Sequence, residues 1–276
     1  MATPVITLAN GIEIPQVGLG IFLMTNENET AWAIQHALKV GYRHFDTAAV
    51  YGNEAVLGRA LKEAGIARED LFLTSKVWND KQGYETTKQA FNESLEKLQT
   101  DYLDLYLIHW HGPNVKETWC AIEELYAEGK VKAIGVSNFS INHLEAMKAY
   151  ATVMPMINQV ETHPYFPQDE LRDYLKKEKI HHESWGPLSQ GKTDLLLHPI
   201  LAEIGKKYGK TAAQVVLRWH VDRDSIVIPK SVNPNRIHEN FALFDFALTE
   251  DDMKAIAKLN IETRYGRDPE NTGFEW

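Results

Sequence analysis

The segment FDTAAVYGNE, residues 45–54, carries an apolar run into Asp46 and places Tyr51 five residues later, in a loop with Gly52 and Asn53. A free phenol titrates at about 10, so alone it is a poor proton donor at neutral pH. Help is available elsewhere in the chain: LFLTSK ends on Lys76 and DLYLIH ends on His109. If these runs are neighbouring strands, their ends bring Lys76 and Asp46 to the tyrosine. A cation beside a phenol lowers its pKa, and a carboxylate paired with the lysine keeps that ammonium charged and placed. His109 could then orient a substrate oxygen or share the proton. The four together suit general acid catalysis at a carbonyl, where Tyr51 protonates the oxygen as negative charge develops.

Such a constellation needs a scaffold that aligns strand ends. Eight short β-rich runs occur, at RHFDT, LFLTSK, DLYLIH, AIGVSN, INQVE, HHESW, SIVIPKS and LFDF. Between them lie amphipathic stretches, such as Ala31, Ile34 and Leu38 closing at Gly41, Phe91, Leu95 and Leu98, and Val115, Trp119, Ile122 and Tyr126 closing at Gly129. Spacings of three and four residues give one apolar face per helix, and a following glycine is a common stop. Alternating strand and helix predicts an α/β fold with a parallel sheet, and eight units predict closure into a (β/α)8 TIM barrel. Before it, VITLANGIEIP reads as an N-terminal β-hairpin turning at Asn10-Gly11. No linker or composition shift divides the chain, so residues 1–276 are expected to form one barrel domain. GLGIFL, residues 18–23, lacks the third glycine of a dinucleotide fingerprint and opens no long helix, which argues against an open Rossmann sheet.

In a barrel of this kind the C-terminal strand ends build the site. Read in order they are Asp46, Lys76, His109, Ser137 with Asn138, Gln159 with Glu161, Trp185, Lys230 and Asp245. With 24% charged residues, 44% hydrophobic residues and a net charge of −9, the chain reads as an ordinary globular protein and not as a nucleic-acid or anionic-membrane binder. Its start shows no secretory signal, no run is long enough to span a membrane, and the single cysteine, Cys120, falls in a helical pattern; a cytoplasmic location is expected.

The motifs GYRHFDTAAVYGNE, TSKVWND, DLYLIHW, IGVSNF, MINQVETHP, ESWGPLSQGK and IPKSVNPNRIHENFALFDF resemble the aldo-keto reductase superfamily in order and over essentially the whole chain. ESWGPLSQGK and the short tail are most similar to prokaryotic 2,5-diketo-D-gluconate reductases. Glyoxal and methylglyoxal reductases and trypanosomatid prostaglandin F synthases are similar too. The resemblance implies an NADPH-dependent monomer that reduces a small carbonyl substrate, with Asp46, Tyr51, Lys76 and His109 as its catalytic tetrad. It implies that Ser137, Asn138 and Gln159 hold the carboxamide of NADPH/NADP, that Trp185 stacks on the nicotinamide, and that Gly186, Leu188 and Gln190 pass by the pyrophosphate. Lys230, Ser231, Val232, Asn233 and Arg236 would receive the 2′-phosphate, and Glu239 and Asn240 the adenine. Lys230 and Arg236 also make chemical sense there, since charge-assisted hydrogen bonds to phosphate want such groups at a loop entering a helix. Phe22, Trp78 and Trp110 match positions lining the substrate pocket.

Two departures from the family pattern stand out: HWHGP places His111 near the pocket rim, and RYGRDPE puts Arg267 where relatives often have proline. Three rival readings remain open. His109-x-His111 with Glu161-x-His163 offers ligands to a metal-dependent barrel hydrolase, although the reductase reading requires no metal. Lys76 or Lys230 could serve a Schiff-base aldolase. A barrel of this family could also be a non-catalytic binding protein.

Overall fold

The structure is a computed structural model describing residues 4–274. A hairpin of β1 (Val5–Thr7) and β2 (Glu13–Pro15) comes first. Its turn differs from a tight turn centred on Asn10-Gly11. Gly11 N donates to Leu8 O at 2.9 Å, so Ala9 and Asn10 make the bend and Gly11 follows it at φ 86°. Glycine suits that following position because it has no Cβ to oppose a positive φ.

Eight strands then form one parallel sheet in sequence order: β3 (Leu19–Gly20), β4 (His44–Asp46), β5 (Phe72–Val77), β6 (Leu103–Ile108), β7 (Val131–Ser137), β8 (Ile157–Glu161), β9 (His181–Trp185) and β10 (Ile226–Val227). The sheet curls until its edges meet. Val227 N donates to Gln16 O at 3.0 Å, and Gly18 N donates to Val227 O at 2.8 Å. That parallel bridge at Val17 and Val227 completes the (β/α)8 barrel. Close approach explains the glycines of GLG: a Cβ on Gly20 would lie 2.7 Å from the Ile228 carbonyl oxygen, and one on Gly18 would lie 2.5 Å from His44 Nδ1.

The sequence reading therefore had eight strands but shifted them by one. The first barrel strand is Leu19–Gly20, and Leu243–Phe246 is no strand. LFDF alternates like one at Phe244, Asp245 and Phe246, half-buried, exposed and half-buried, yet the carbonyls where it begins are satisfied differently. Arg218 Nη1 donates to Leu243 O at 2.9 Å, and Gln214 Nε2 donates to Ala242 O at 3.0 Å. Asp245 leaves the list of rim residues, since it pairs with Lys210 instead.

Among the described residues ten helices surround the sheet: α1 (Glu27–Val40), α2 (Glu54–Glu63), α3 (Tyr84–Leu98), α4 (Val115–Ala127), α5 (Ile141–Met147), α6 (Asp169–Lys177), α7 (Pro199–Tyr208), α8 (Ala212–Val221), α9 (Pro234–Phe241) and α10 (Glu250–Ala257). Their ends follow local chemistry. Asn26 caps α1 through Glu29 N at 3.0 Å, and Thr211 with Gln214 makes a reciprocal capping box on α8. The outer faces of the strands pack on the helices through residues such as Phe45, Tyr106, Ile134 and Val160. A second apolar cluster, with Leu201, Val216, Trp219 and Ile256, lies between α7, α8 and α10. Among the described residues no helix is long and apolar enough to cross a membrane.

Candidate active site

Alternation along a strand sends every second side chain to the barrel interior. His44 and Asp46 on β4, Thr74 and Lys76 on β5, Gln159 on β8 and Glu183 on β9 meet there, as their mutual hydrogen bonds and contacts show. Lys76 is fully buried. Its Nζ donates to Asp46 Oδ1 at 2.6 Å, to Asp46 Oδ2 at 2.8 Å and to the Thr47 carbonyl at 2.9 Å. The two Asp46 contacts straddle one carboxylate and share a single N–H, so a proton of the ammonium remains for the Tyr51 hydroxyl, and that hydrogen bond works against the rise in pKa that burial imposes on the phenol. Burial works against the charge on Lys76, but Asp46, Tyr51 and Glu183 outweigh it and hold the lysine above its ordinary value. A permanently protonated, ion-paired amine is no nucleophile, which removes the basis of a Schiff-base role for Lys76.

Tyr51 ends a short 3-10 turn after β4, with its ring centroid 5.2 Å from Lys76 Nζ. The turn is pinned by Asn53, whose side chain accepts from Thr47 Oγ1 at 2.8 Å and donates to Ile21 O at 2.9 Å and Met24 O at 3.2 Å. The His109 ring stands edge-on to Tyr51 at 5.6 Å and to Trp78 at 5.0 Å. The tetrad suggested by the sequence is thus assembled, with one correction to its electrostatics. Burial pushes the Tyr51 phenol above its usual value, Lys76 pulls it down, Asp46 pushes it up again, and the net direction is up. The sequence displays the nearby lysine but not the low-dielectric surroundings that oppose it. Burial, reinforced by Lys76, holds His109 well below the usual imidazole range. It is therefore neutral at physiological pH and able to donate one N–H, and its Nδ1 is buried with no partner among the described residues.

Around this centre, Ser137 Oγ donates to Gln159 O at 2.9 Å. Asn138, in the left-handed region at φ 60°, donates to His109 O and to Ser137 Oγ, both at 3.0 Å. Trp185 is half-buried, and its Nε1 donates to Asn138 Oδ1 at 2.8 Å, which fixes the indole at the rim. The following loop reverses through left-handed residues, Gly186, Ser189, Gln190 and Gly191, and leaves Ser189 Oγ buried without a partner among the described residues; Leu188 is half-buried within it. Beyond β10, Ser231 is buried, Val232 and Glu239 are half-buried, Asn240 is buried, and Asn233 caps α9 through Arg236 N at 3.1 Å. Lys230 and Arg236 are exposed there, and neither forms an ion pair among the described residues.

Phe22 packs on Tyr51 at 4.9 Å, and Trp78 and Trp110 complete an aromatic wall. Phe274, a residue the sequence reading did not single out, lies edge-on to both tryptophans at 5.5 Å, and Arg267 sits over its ring at 4.6 Å. The tail reaches this position through Glu161, which accepts from Tyr265 N at 2.7 Å and Gly266 N at 2.8 Å.

The four candidate metal ligands do not converge. His109 faces Tyr51 and Trp78, His111 stacks on His143 at 3.9 Å, and His163 pairs with Glu161 at 3.1 Å. His111 instead helps to hold the loop after β6 against α5, with burial lowering its pKa to about 4. Asn53, Thr47 and Glu183 were missed as well. Only Asn53 gave a local signal, as the asparagine after the Tyr51-Gly52 turn.

A closed barrel that gathers these polar groups at the C-terminal mouth of its strands has the layout of a barrel enzyme. The model of the aldo/keto reductase family matches residues 16–261, and the chain belongs to that family. It is 51% identical over 270 residues to glyoxal reductase of Bacillus subtilis, covering 98% of this chain and 97% of that protein. It is 48% identical over 277 residues to methylglyoxal reductase DkgA of Escherichia coli O157:H7, covering 99% and 100%. A point mutant of Gox0644, crystallised in complex with NADPH, superposes with a TM-score of 0.93 at 44% identity, covering 99% of this chain and 100% of that one.

Proposed function

We propose that the protein is an NADPH-dependent reductase of small aldehydes and ketones, dicarbonyls foremost, with Tyr51 as the general acid. The observation that carries this reading is Lys76, which is held charged by Asp46 and the Thr47 carbonyl while standing 5.2 Å from the Tyr51 ring centroid. Lys76 thus acts on the phenol through its charge and through a hydrogen bond to the hydroxyl. As the carbonyl oxygen becomes an alkoxide, the positive field stabilises both that oxygen and the phenolate left after proton transfer. His109, kept neutral, donates an N–H to the same oxygen and orients it. Phe22, Trp78, Trp110 and Phe274 keep water from the reacting carbon.

The residues present fit the dinucleotide. Lys230 and Arg236 are exposed cations in an acidic chain, beside Ser231, Val232 and Asn233, and would receive the 2′-phosphate, with Glu239 and Asn240 at the adenine. Ser189 Oγ is a buried hydroxyl without a partner in the loop where Gly186, Leu188 and Gln190 would pass by the pyrophosphate. Ser137, Asn138 and Gln159 would hold the carboxamide, and Trp185 would cover the ring. When bound, NADPH supplies a hydride from its nicotinamide C4.

The names of the relatives favour glyoxal and methylglyoxal as substrates; 2,5-diketo-D-gluconate, suggested by the sequence, offers a larger dicarbonyl. The test is NADPH oxidation by purified protein with methylglyoxal, 2,5-diketo-D-gluconate and an aromatic aldehyde. Methylglyoxal is expected to give the highest kcat/KM, and inactivity toward all three carbonyls would overturn the reductase reading. In the same assay Arg236→Ala should raise the Kd for NADPH by roughly tenfold, a modest value because the site is solvent-screened. NADH, which lacks the 2′-phosphate, should be unaffected; an equal loss for both would remove Arg236 from phosphate recognition.

A further inference from the structure

One buried carboxyl has no task in the reaction described above. Glu183 is completely buried on β9, and its two oxygens have different neighbours. Oε2 accepts from Gln159 Nε2 at 3.0 Å, and the same Nε2 donates to Asp46 Oδ2 at 2.8 Å. Oε1 makes no hydrogen bond and lies 3.7 Å from His44 Nε2. We propose that Glu183 is a positioning residue that carries a proton in the barrel centre and locks Gln159 with its amide oxygen toward the cofactor carboxamide.

The proton follows from the neighbours. His44 is fully buried, and its Nδ1 lies 3.3 Å from the Pro15 carbonyl, a contact only an N–H satisfies. A neutral His44 then presents a lone pair at Nε2, toward Thr74 Oγ1 at 3.4 Å and Glu183 Oε1. A carboxylate oxygen facing that lone pair would be repelled, whereas a carboxyl O–H points at an acceptor. The groups facing Glu183 agree. Asp46 and His44 on β4, Lys76 on β5 and Gln159 on β8 supply one fixed positive charge for two carboxyls, and the β10 partner is the apolar Ile226. Next along β9, His182 faces away, toward Thr162 and Ser225. Burial first, then Asp46, pushes Glu183 up to about 8, and burial takes His44 down to about 3, so the proton resides on the acid.

The orientation follows from counting donors. An amide nitrogen has two N–H groups, and here both are taken by carboxyl oxygens on the inner side. Gln159 is thereby prevented from flipping, and its oxygen is left as the acceptor for the NH2 of a nicotinamide carboxamide. This half of the proposal rests on the reductase reading.

Two substitutions and one cofactor fragment test it. Glu183→Gln keeps an acceptor for Gln159 and turns an N–H toward His44 Nε2, whereas Glu183→Leu leaves one amide N–H of Gln159 without an acceptor. NADPH affinity should fall roughly tenfold in the leucine variant and recover in the glutamine variant. Adenosine 2′,5′-bisphosphate, which has no nicotinamide, should bind all three proteins alike. Unchanged NADPH affinity in Glu183→Leu, or an equal loss for the bisphosphate, overturns the positioning role. The infrared difference spectrum between wild type and Glu183→Gln should show a carboxylic-acid carbonyl band at neutral pH, and its absence overturns the proton. In profiles of kcat against pH, wild type should decline through about 8 as Glu183 ionises, and Glu183→Gln should lack that step; identical profiles count against the proposal. If wild type binds the bisphosphate but reduces no carbonyl, the reductase reading fails, and the infrared band still decides the proton.

Discussion

Replacing Tyr51 with phenylalanine is expected to lower kcat by roughly 10² to 10⁴ while leaving NADPH affinity and folding stability close to wild type. The change deletes one oxygen and keeps the ring that packs between Phe22 and His109. No neighbour replaces the lost acid. Lys76 is held above its ordinary value and is too weak an acid to give up a proton, and burial keeps His109 neutral, so it can orient an oxygen without protonating it. The raised phenol fixes the sign of the pH dependence. Its acid form persists through neutral pH, and the loss of activity from Tyr51 ionisation falls above the ordinary phenol value of about 10. Single-turnover measurements with NADPH and methylglyoxal separate the chemical step from product release. A Tyr51→Phe protein that retains most of its single-turnover rate would show that the proton comes from elsewhere and would sink the assignment.

The parts of the fold that were legible in sequence are those governed by local pattern. Phe72–Val77, Leu103–Ile108 and Val131–Ser137 are long, almost wholly buried runs, and apolar periodicity marks the helices between them. The shifted first and last strands show where pattern fails. Leu19–Gly20 is two residues long, and Gly20 with the preceding Gly18 serves contacts with Ile228 and His44 that lie far away in sequence. Phe244–Phe246 has strand-like alternation, but α8 side chains take the carbonyls of Ala242 and Leu243 just before it, which only tertiary structure reveals. The site divides the same way. Asp46, Lys76, Gln159 and Trp185 end strands in order and could be read one by one. Glu183 acquires meaning only through Gln159, which joins it to Asp46 across the barrel. The Tyr51 phenol was assigned the wrong direction because neighbouring charges are visible in a sequence and desolvation is not.

Lys76→Met should impair both turnover and folding, and comparison with a double variant separates the two effects. Asp46 is 2% exposed, so removing its cation leaves a carboxylate with Gln159 as its remaining side-chain donor. Breaking a buried ion pair from one side typically costs about 3–5 kcal/mol, mostly through the charge left behind. Lys76→Met combined with Asp46→Asn removes that orphan charge, so chemical denaturation should show most of the stability restored, with a favourable coupling between the two changes. Turnover should not return. The double variant has a neutral centre beside Tyr51, so nothing offsets the charge that develops when the phenol gives up its proton, and kcat should stay down by about 10² or more. Recovery of activity along with stability would mean that the pair serves only to hold the barrel together. Persistent inactivity in a stable double variant would assign the ammonium field of Lys76 to the chemical step, separately from its part in the fold.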